Sequence, residues 1–203
     1  KEGRRLRFIL KKQLLSDPCL DVVGHRIPNY FVDRDSLNNK DELTNIGLLA
    51  RDMADDEALI IFPEGTRFST EKLGKAIAAL SETAPTRVKS ASELRSVLPP
   101  RTAGTLAALA ESNADIVICN HVGISDISSL QQLRAAVPLQ TELKFKLWRT
   151  PRSEVNQTQF VQWLDAQWAI VDDWVTNNED VTSPLSKPAS LNANETATTI
   201  EKE

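Results

Sequence analysis

Ala58-Leu59-Ile60-Ile61-Phe62 is an unbroken apolar run that ends abruptly at Pro63 and Gly65. A run so short, so apolar and so sharply closed reads as a strand buried on both faces, over residues 57–62. Strands of that kind need a layer on each side of their sheet, which narrows the choice of fold at once. Similar runs occur at Leu94 to Leu98, cut by Pro99 and Pro100, and at Asp115 to Cys119. A shorter one, Tyr30-Phe31-Val32, lies between Pro28 and Asp33-Arg34-Asp35. Helical patterns fall between them, over 40–54, 71–83 and 102–111, the first with Leu43, Ile46, Leu49, Ala50 and Met53 on one face. Strands alternating with helices predict an α/β fold, a mostly parallel sheet flanked by helices.

The ends of the chain differ from this middle. Lys1, Arg4, Arg5, Arg7, Lys11 and Lys12 stand against Glu2 alone, interleaved with Leu6, Phe8, Ile9 and Leu10 at roughly helical spacing. Residues 4–15 therefore read as a basic amphipathic helix, its charged side either a solvated face or a surface for anionic lipid or a phosphorylated substrate. Residues 84–93, with Pro85, read as an irregular connection. Further on, Phe160, Trp163, Leu164, Trp168, Val171 and Trp174 recur at helical steps. They predict an amphipathic helix over 158–175 whose three tryptophans pack rather than stack on a ligand. Beyond Val175 no aromatic occurs, Asn, Ser and Thr dominate, and Pro184 and Pro188 interrupt, so 176–203 is expected to be a disordered tail.

Composition excludes several classes. The 203 residues are 41% hydrophobic and 26% charged, the balance of an ordinary globular domain. A net charge of −4 argues against a nucleic-acid binder. Cys19 and Cys119 offer neither a disulfide framework nor paired ligand spacing, and with only His25 and His121 beside them no metal site is expected. No apolar run approaches the roughly 20 residues that a spanning helix needs. The first residues hold charges where a secretory signal would hold an apolar stretch.

Phe62-Pro63-Glu64-Gly65-Thr66-Arg67 carries the sharpest chemical signal. It follows a buried strand, where ligand sites of open α/β sheets form. Gly65 lets backbone approach a ligand closely, Thr66 offers a hydroxyl, and Arg67 a planar fork suited to phosphate. Glu64 helps bind an anion only by orienting Arg67 or accepting a substrate hydroxyl. These residues alone fit either a phosphate site or a turn with a solvated ion pair. Arg101 is equally open, reaching toward an anionic substrate or capping the helix that follows it.

The hexapeptide FPEGTR resembles the most specific sequence block of the glycerophospholipid acyltransferases, which include the lysophosphatidate acyltransferases. Two further blocks match in the family's order. Asn29-Tyr30-Phe31-Val32-Asp33-Arg34 resembles the strand that ends near an arginine, and Val97-Leu98-Pro99-Pro100-Arg101 the strand that closes with proline. The resemblance covers roughly residues 8–110. It implies a fold like that of glycerol-3-phosphate acyltransferase. It also implies acyl transfer from a thioester, acyl-CoA or acyl-ACP, to the hydroxyl of a lysophospholipid such as lysophosphatidate, making phosphatidate. Arg34, Glu64, Gly65, Thr66 and Arg67 would then bind the phosphate-bearing acceptor, without metal or bound cofactor. The setting implied is the cytoplasmic face of a membrane, with no nucleic-acid partner.

The family's first block, N-H-x4-D, supplies a general base and the acid that orients it. No such block precedes Asn29. Residues 1–175 are therefore expected to be an acyltransferase domain without its N-terminal catalytic block, binding acceptor but not turning over. The alternative is a non-catalytic phospholipid-phosphate-binding module. Asn120-His121-x4-Asp126 imitates the missing block but follows FPEGTR instead of preceding it. It reads either as a displaced catalytic pair or as a structural turn after a strand. A hydrolase built on His121 would need a nucleophile motif, and no G-x-S-x-G occurs.

Overall fold

The computed structural model describes residues 5–12, 15, 22, 26, 29–32, 39–51, 53–123, 135, 137–138 and 142–179. Three parallel strands, β1 (Arg5–Lys11), β2 (Tyr30–Val32) and β3 (Glu57–Ile60), form one sheet in the order β2-β1-β3. β3 pairs with the first half of β1, Arg5 opposite Glu57 and Phe8 opposite Ile60. β2 pairs with the second half, Ile9 opposite Tyr30. Helices α1 (Asn39–Arg51) and α4 (Thr102–Glu111) lie against each other over this sheet. Ile46, Ala50 and Ala108 form the buried centre there, packed on Ile9, Tyr30, Val32, Leu59 and Ile61. Gly47 sets the approach of the two helices, because a Cβ there would sit 3.0 Å from Glu111 Cγ. The fold is thus α/β, a parallel sheet flanked by helices, as the alternation of runs predicts.

The strand β1 corrects the expectation of a basic helix over 4–15. The segment Arg5-Leu6-Arg7-Phe8-Ile9-Leu10-Lys11 satisfies a period of two as well as one near 3.6, and pairing on both sides decides for the strand. Its two arginines differ, Arg5 staying exposed and Arg7 turning inward. Arg7 is nearly buried, donates to the Leu49 carbonyl at 3.0 Å and pairs with Glu57, whose side chain is 4% exposed. Glu57 also accepts the Ala54 N–H at 2.9 Å. Arg5 forks onto Asp56 with two 3.1 Å bonds. Arg5 and Arg7 thus tie β1 to the segment that begins β3.

A second, larger core lies around α5 (Phe160–Glu179), which runs four residues past Val175; residues 180–203, most of the expected tail, lie outside the described residues. Phe160, Leu164, Trp168, Val171 and Val175 are buried against Leu94, Val97, Leu109, Ile118 and Val122, and Trp163 and Trp174 pack on this cluster. The tryptophans are packing residues, as their spacing predicts. α2 (Thr70–Thr83) starts at Ser69, whose hydroxyl accepts the Lys72 N–H, and a 3-10 turn at Pro85–Arg87 leads into the short α3 (Val88–Ser92). The connection over 84–93 is thus helical turns rather than irregular chain.

Two strand expectations need correction. The apolar run after Asp115 is β4 (Ile116–Val122), but it pairs antiparallel with β5 (Lys144–Thr150) in a two-stranded ribbon outside the parallel sheet. The other run, Leu94 to Leu98, is buried as expected yet is not a strand. Its peptide groups are taken by side chains: the N–H groups of Arg95 and Ser96 donate to Asp172 Oδ1 at 2.8 and 2.7 Å, and that of Leu98 to Glu64 Oε2 at 3.0 Å. The burial that marks a strand in sequence is real here, but no ladder partner is needed.

The Ala54 N–H first, and the Arg7 guanidinium next, hold the Glu57 carboxyl below its ordinary value. A depressed carboxyl stabilises the fold above the unfolded value near 4.5, and that gain is lost as pH falls through the folded one. Glu57→Gln should lower the urea midpoint at pH 7, and the gap to wild type should close on acidification below about pH 4.5. Equal midpoints at pH 7 would show that the pair does not stabilise the sheet.

Candidate functional site

β3 delivers the chain into the FPEGTR turn. The Gly65 N–H donates back to the Phe62 carbonyl at 3.0 Å, and Gly65 itself adopts φ 71°, the left-handed region that a side chain disfavours. The turn is strapped to the segment that ends in Pro99-Pro100. The Arg101 N–H donates to the Pro63 carbonyl at 3.0 Å, and the Leu98 N–H to Glu64. The blocks at 62–67 and 97–101, remote in sequence, are therefore one structural unit.

Glu64 points its charge inward. Burial pushes its carboxyl up from the ordinary carboxylate range. The Leu98 N–H and then the Trp168 indole act the other way, and the Asp172 charge behind adds to the upward push. The indole N–H lies near enough to favour the charged form without meeting hydrogen-bond geometry. What Glu64 does in the structure is shape the turn, and Arg67 is not its partner. On the outer side, Lys72 Nζ donates to Thr66 Oγ at 3.1 Å and to the Arg67 carbonyl at 3.0 Å. The Thr66 hydroxyl, accepting there, keeps its own proton to donate. The Arg67 side chain is exposed and has no partner among the described residues.

Arg34 lies outside the described residues, as do His25, Cys19 and Asp126. His121 is described, and the structure does not bring it to the turn. It sits exposed on the outer face of the ribbon, opposite Phe145, with ring centroids 6.0 Å apart. The ribbon's other face, with Ile118 and Val122, packs toward α5. Among the described residues no cluster of three or more His, Cys, Asp or Glu could hold a metal ion, and no helix is long and apolar enough to cross a membrane.

Sequence reasoning missed Asp172, which is 3% exposed and anchors Arg95 and Ser96. A signal was available: Asp172 stands between Val171 and Val175 on the apolar face of a tryptophan-rich helix, where an acid must find buried donors. Lys72, one turn into α2, was missed as well. Nothing in its spacing singles out a lysine that braces the turn before it.

A parallel sheet flanked by helices, with a glycine-centred turn at the end of one strand, places the turn where ligands of open α/β proteins bind. A family model described as Acyltransferase matches residues 1–102. That match covers just over half of the chain, which therefore belongs to the acyltransferase family, the glycerophospholipid acyltransferases of the lysophosphatidate type among them. No curated protein and no solved structure matched the chain.

The Glu64–Leu98 bond can be tested directly. Glu64→Ala leaves the Leu98 N–H without its acceptor and should cost about 1–3 kcal/mol in urea unfolding. Glu64→Gln keeps an oxygen there and should cost less. A raised carboxyl is a group whose ionisation the fold opposes, so wild type should lose stability relative to Glu64→Gln as pH rises from about 4.5 toward neutrality. Equal losses for the Ala and Gln variants would remove the bond from the account.

Proposed function

We propose that the FPEGTR turn holds the phosphate of a lysophospholipid acceptor such as lysophosphatidate, which is acylated to phosphatidate in phospholipid biosynthesis. Membership of the acyltransferase family supports acyl transfer as the reaction. The observation that carries the acceptor reading is the exposed Arg67 guanidinium, without a partner among the described residues, on a turn whose carboxylate is turned inward. A planar cation left free beside a hydroxyl that can still donate suits phosphate oxygens. Gly65 and Glu64 give the turn its shape, Thr66 and Arg67 meet the anion, and Arg34 joins them by family resemblance.

In the reaction the acceptor hydroxyl loses its proton to a base, its oxygen attacks the thioester carbonyl of acyl-CoA or acyl-ACP, and the thiol leaves with a proton. No metal or bound cofactor takes part. His121, on the far face of the ribbon, has no role in this proposal. The acceptor and product are lipids, so the reaction belongs at a membrane surface, on its cytoplasmic side. That the one described histidine stands away from the turn favours a second reading, a phosphate-binding module without turnover.

Binding of short-chain lysophosphatidate should weaken roughly tenfold or more in Arg67→Gln. Unchanged affinity would end the phosphate-site proposal. Transfer of a radiolabelled acyl group from acyl-CoA separates the two readings, since a module shows binding and no product. Should His121→Ala abolish transfer, the assignment of His121 here is wrong.

A further inference from the structure

Most arginines in the continuous described stretches are in use. The stretches 5–12, 39–51, 53–123 and 142–179 contain nine, and seven of these donate to a carboxylate or a backbone carbonyl. Of these nine, Arg67 and Arg101 have no partner among the described residues, and both are exposed; Arg26, described outside these stretches, is exposed without one as well. They stand on the two segments that the Pro63–Arg101 and Glu64–Leu98 bonds strap together. Two exposed guanidinia without a partner among the described residues, standing on one strapped unit, suit an anion.

Arg101 is also built in firmly. Its N–H is fixed on Pro63, and the carbonyl of Pro100 before it accepts from Arg87 at 2.8 Å, which in turn forks onto Asp165. Arg101 is the N-cap residue of α4, yet its side chain makes no capping bond, and the first turn of α4 holds no acidic residue. The free amide groups of that turn add to the positive field that Arg101 supplies.

We infer that Arg101 is the second cation of the acceptor site, resting on the reading of FPEGTR given above, and that the pair selects a phosphomonoester headgroup. A phosphomonoester carries close to two negative charges at neutral pH, with its second ionisation near pH 6. Two guanidinia match that charge. A zwitterionic phosphodiester headgroup offers one negative charge and brings a cation of its own, which the second guanidinium repels.

The charged groups on the strapped unit, or bonded to it, are Glu64 and Arg67 on the turn, Lys72 on α2, Arg95 with Asp172 and Asp173, and the Arg87–Asp165 pair at Pro100. They are common to wild type and variant, so a pH effect that differs between the two belongs to Arg101 and its ligand.

The test is equilibrium binding of two probes, short-chain lysophosphatidate and short-chain lysophosphatidylcholine, to the full 203-residue chain. It is run at low ionic strength, where exposed charges are least screened, for wild type, Arg101→Gln, Arg101→Lys and Arg67→Gln. Arg101→Gln should weaken lysophosphatidate roughly tenfold and leave lysophosphatidylcholine nearly unchanged, and Arg101→Lys should recover part of the loss. Wild-type affinity for lysophosphatidate should rise between pH 5 and pH 8, and Arg101→Gln should flatten that rise. Wild-type behaviour of Arg101→Gln beside a weakened Arg67→Gln overturns this inference and leaves the turn's role standing. Equal loss for both probes would make Arg101 a structural residue, with the same result for the inference. Failure of wild type itself to bind lysophosphatidate removes the acceptor reading, and this inference with it.

Discussion

The structure depends on how one buried, non-repetitive segment satisfies its own backbone. From Arg95 to Arg101 the chain is apolar enough to be covered, but it has no strand beside it to take its amide groups. Asp172 accepts two of them, Glu64 a third, and the Pro63 carbonyl a fourth, while Arg87 donates to the carbonyl of Pro100. Pro99 and Pro100 have no N–H to place. Buried peptide groups left without partners are costly, so these side chains decide where the segment lies. Its position in turn fixes the FPEGTR turn, since the two share the Glu64 and Pro63 bonds.

That arrangement divides the turn into an inner and an outer side. The acidic member faces in, toward Leu98 and Trp168, where burial opposes its charge. The cations stay outside, one on the turn and one on the strapped segment. Both guanidinia are exposed, in a chain that as a whole carries −4. The same economy appears in the sheet, where Arg5 and Arg7 meet Asp56 and Glu57 across neighbouring strands and none is left to a ligand.

Much of this was legible in the sequence, and the failures share a cause. The helices α1, α2, α4 and α5 follow from apolar spacing, β2 and β3 from short runs bounded on one side by proline, and FPEGTR stands out at once. β1 was misread as a helix because Leu6, Phe8, Ile9 and Leu10 fit either period, and only pairing with partners 21 and more residues away settles the matter. β5 carries no expectation, although it mixes basic and apolar residues and Pro151 closes it. The segment after Leu94 was rightly read as buried and wrongly as a strand, because its acceptors lie 34, 76 and 77 residues away. Local pattern reports burial well. It does not report which distant group answers a buried amide.

The similarity to known acyltransferases ends at residue 102, whereas Asp165 and Asp172 lie far beyond it on α5. These two aspartates seat Arg87, Arg95 and Ser96, all within the matched half. A boundary drawn where sequence similarity stops is therefore not a boundary of cooperativity. The matched half borrows its last stretch of order from a helix beyond the match, and severing the chain between them would leave its aspartate-held amides bare.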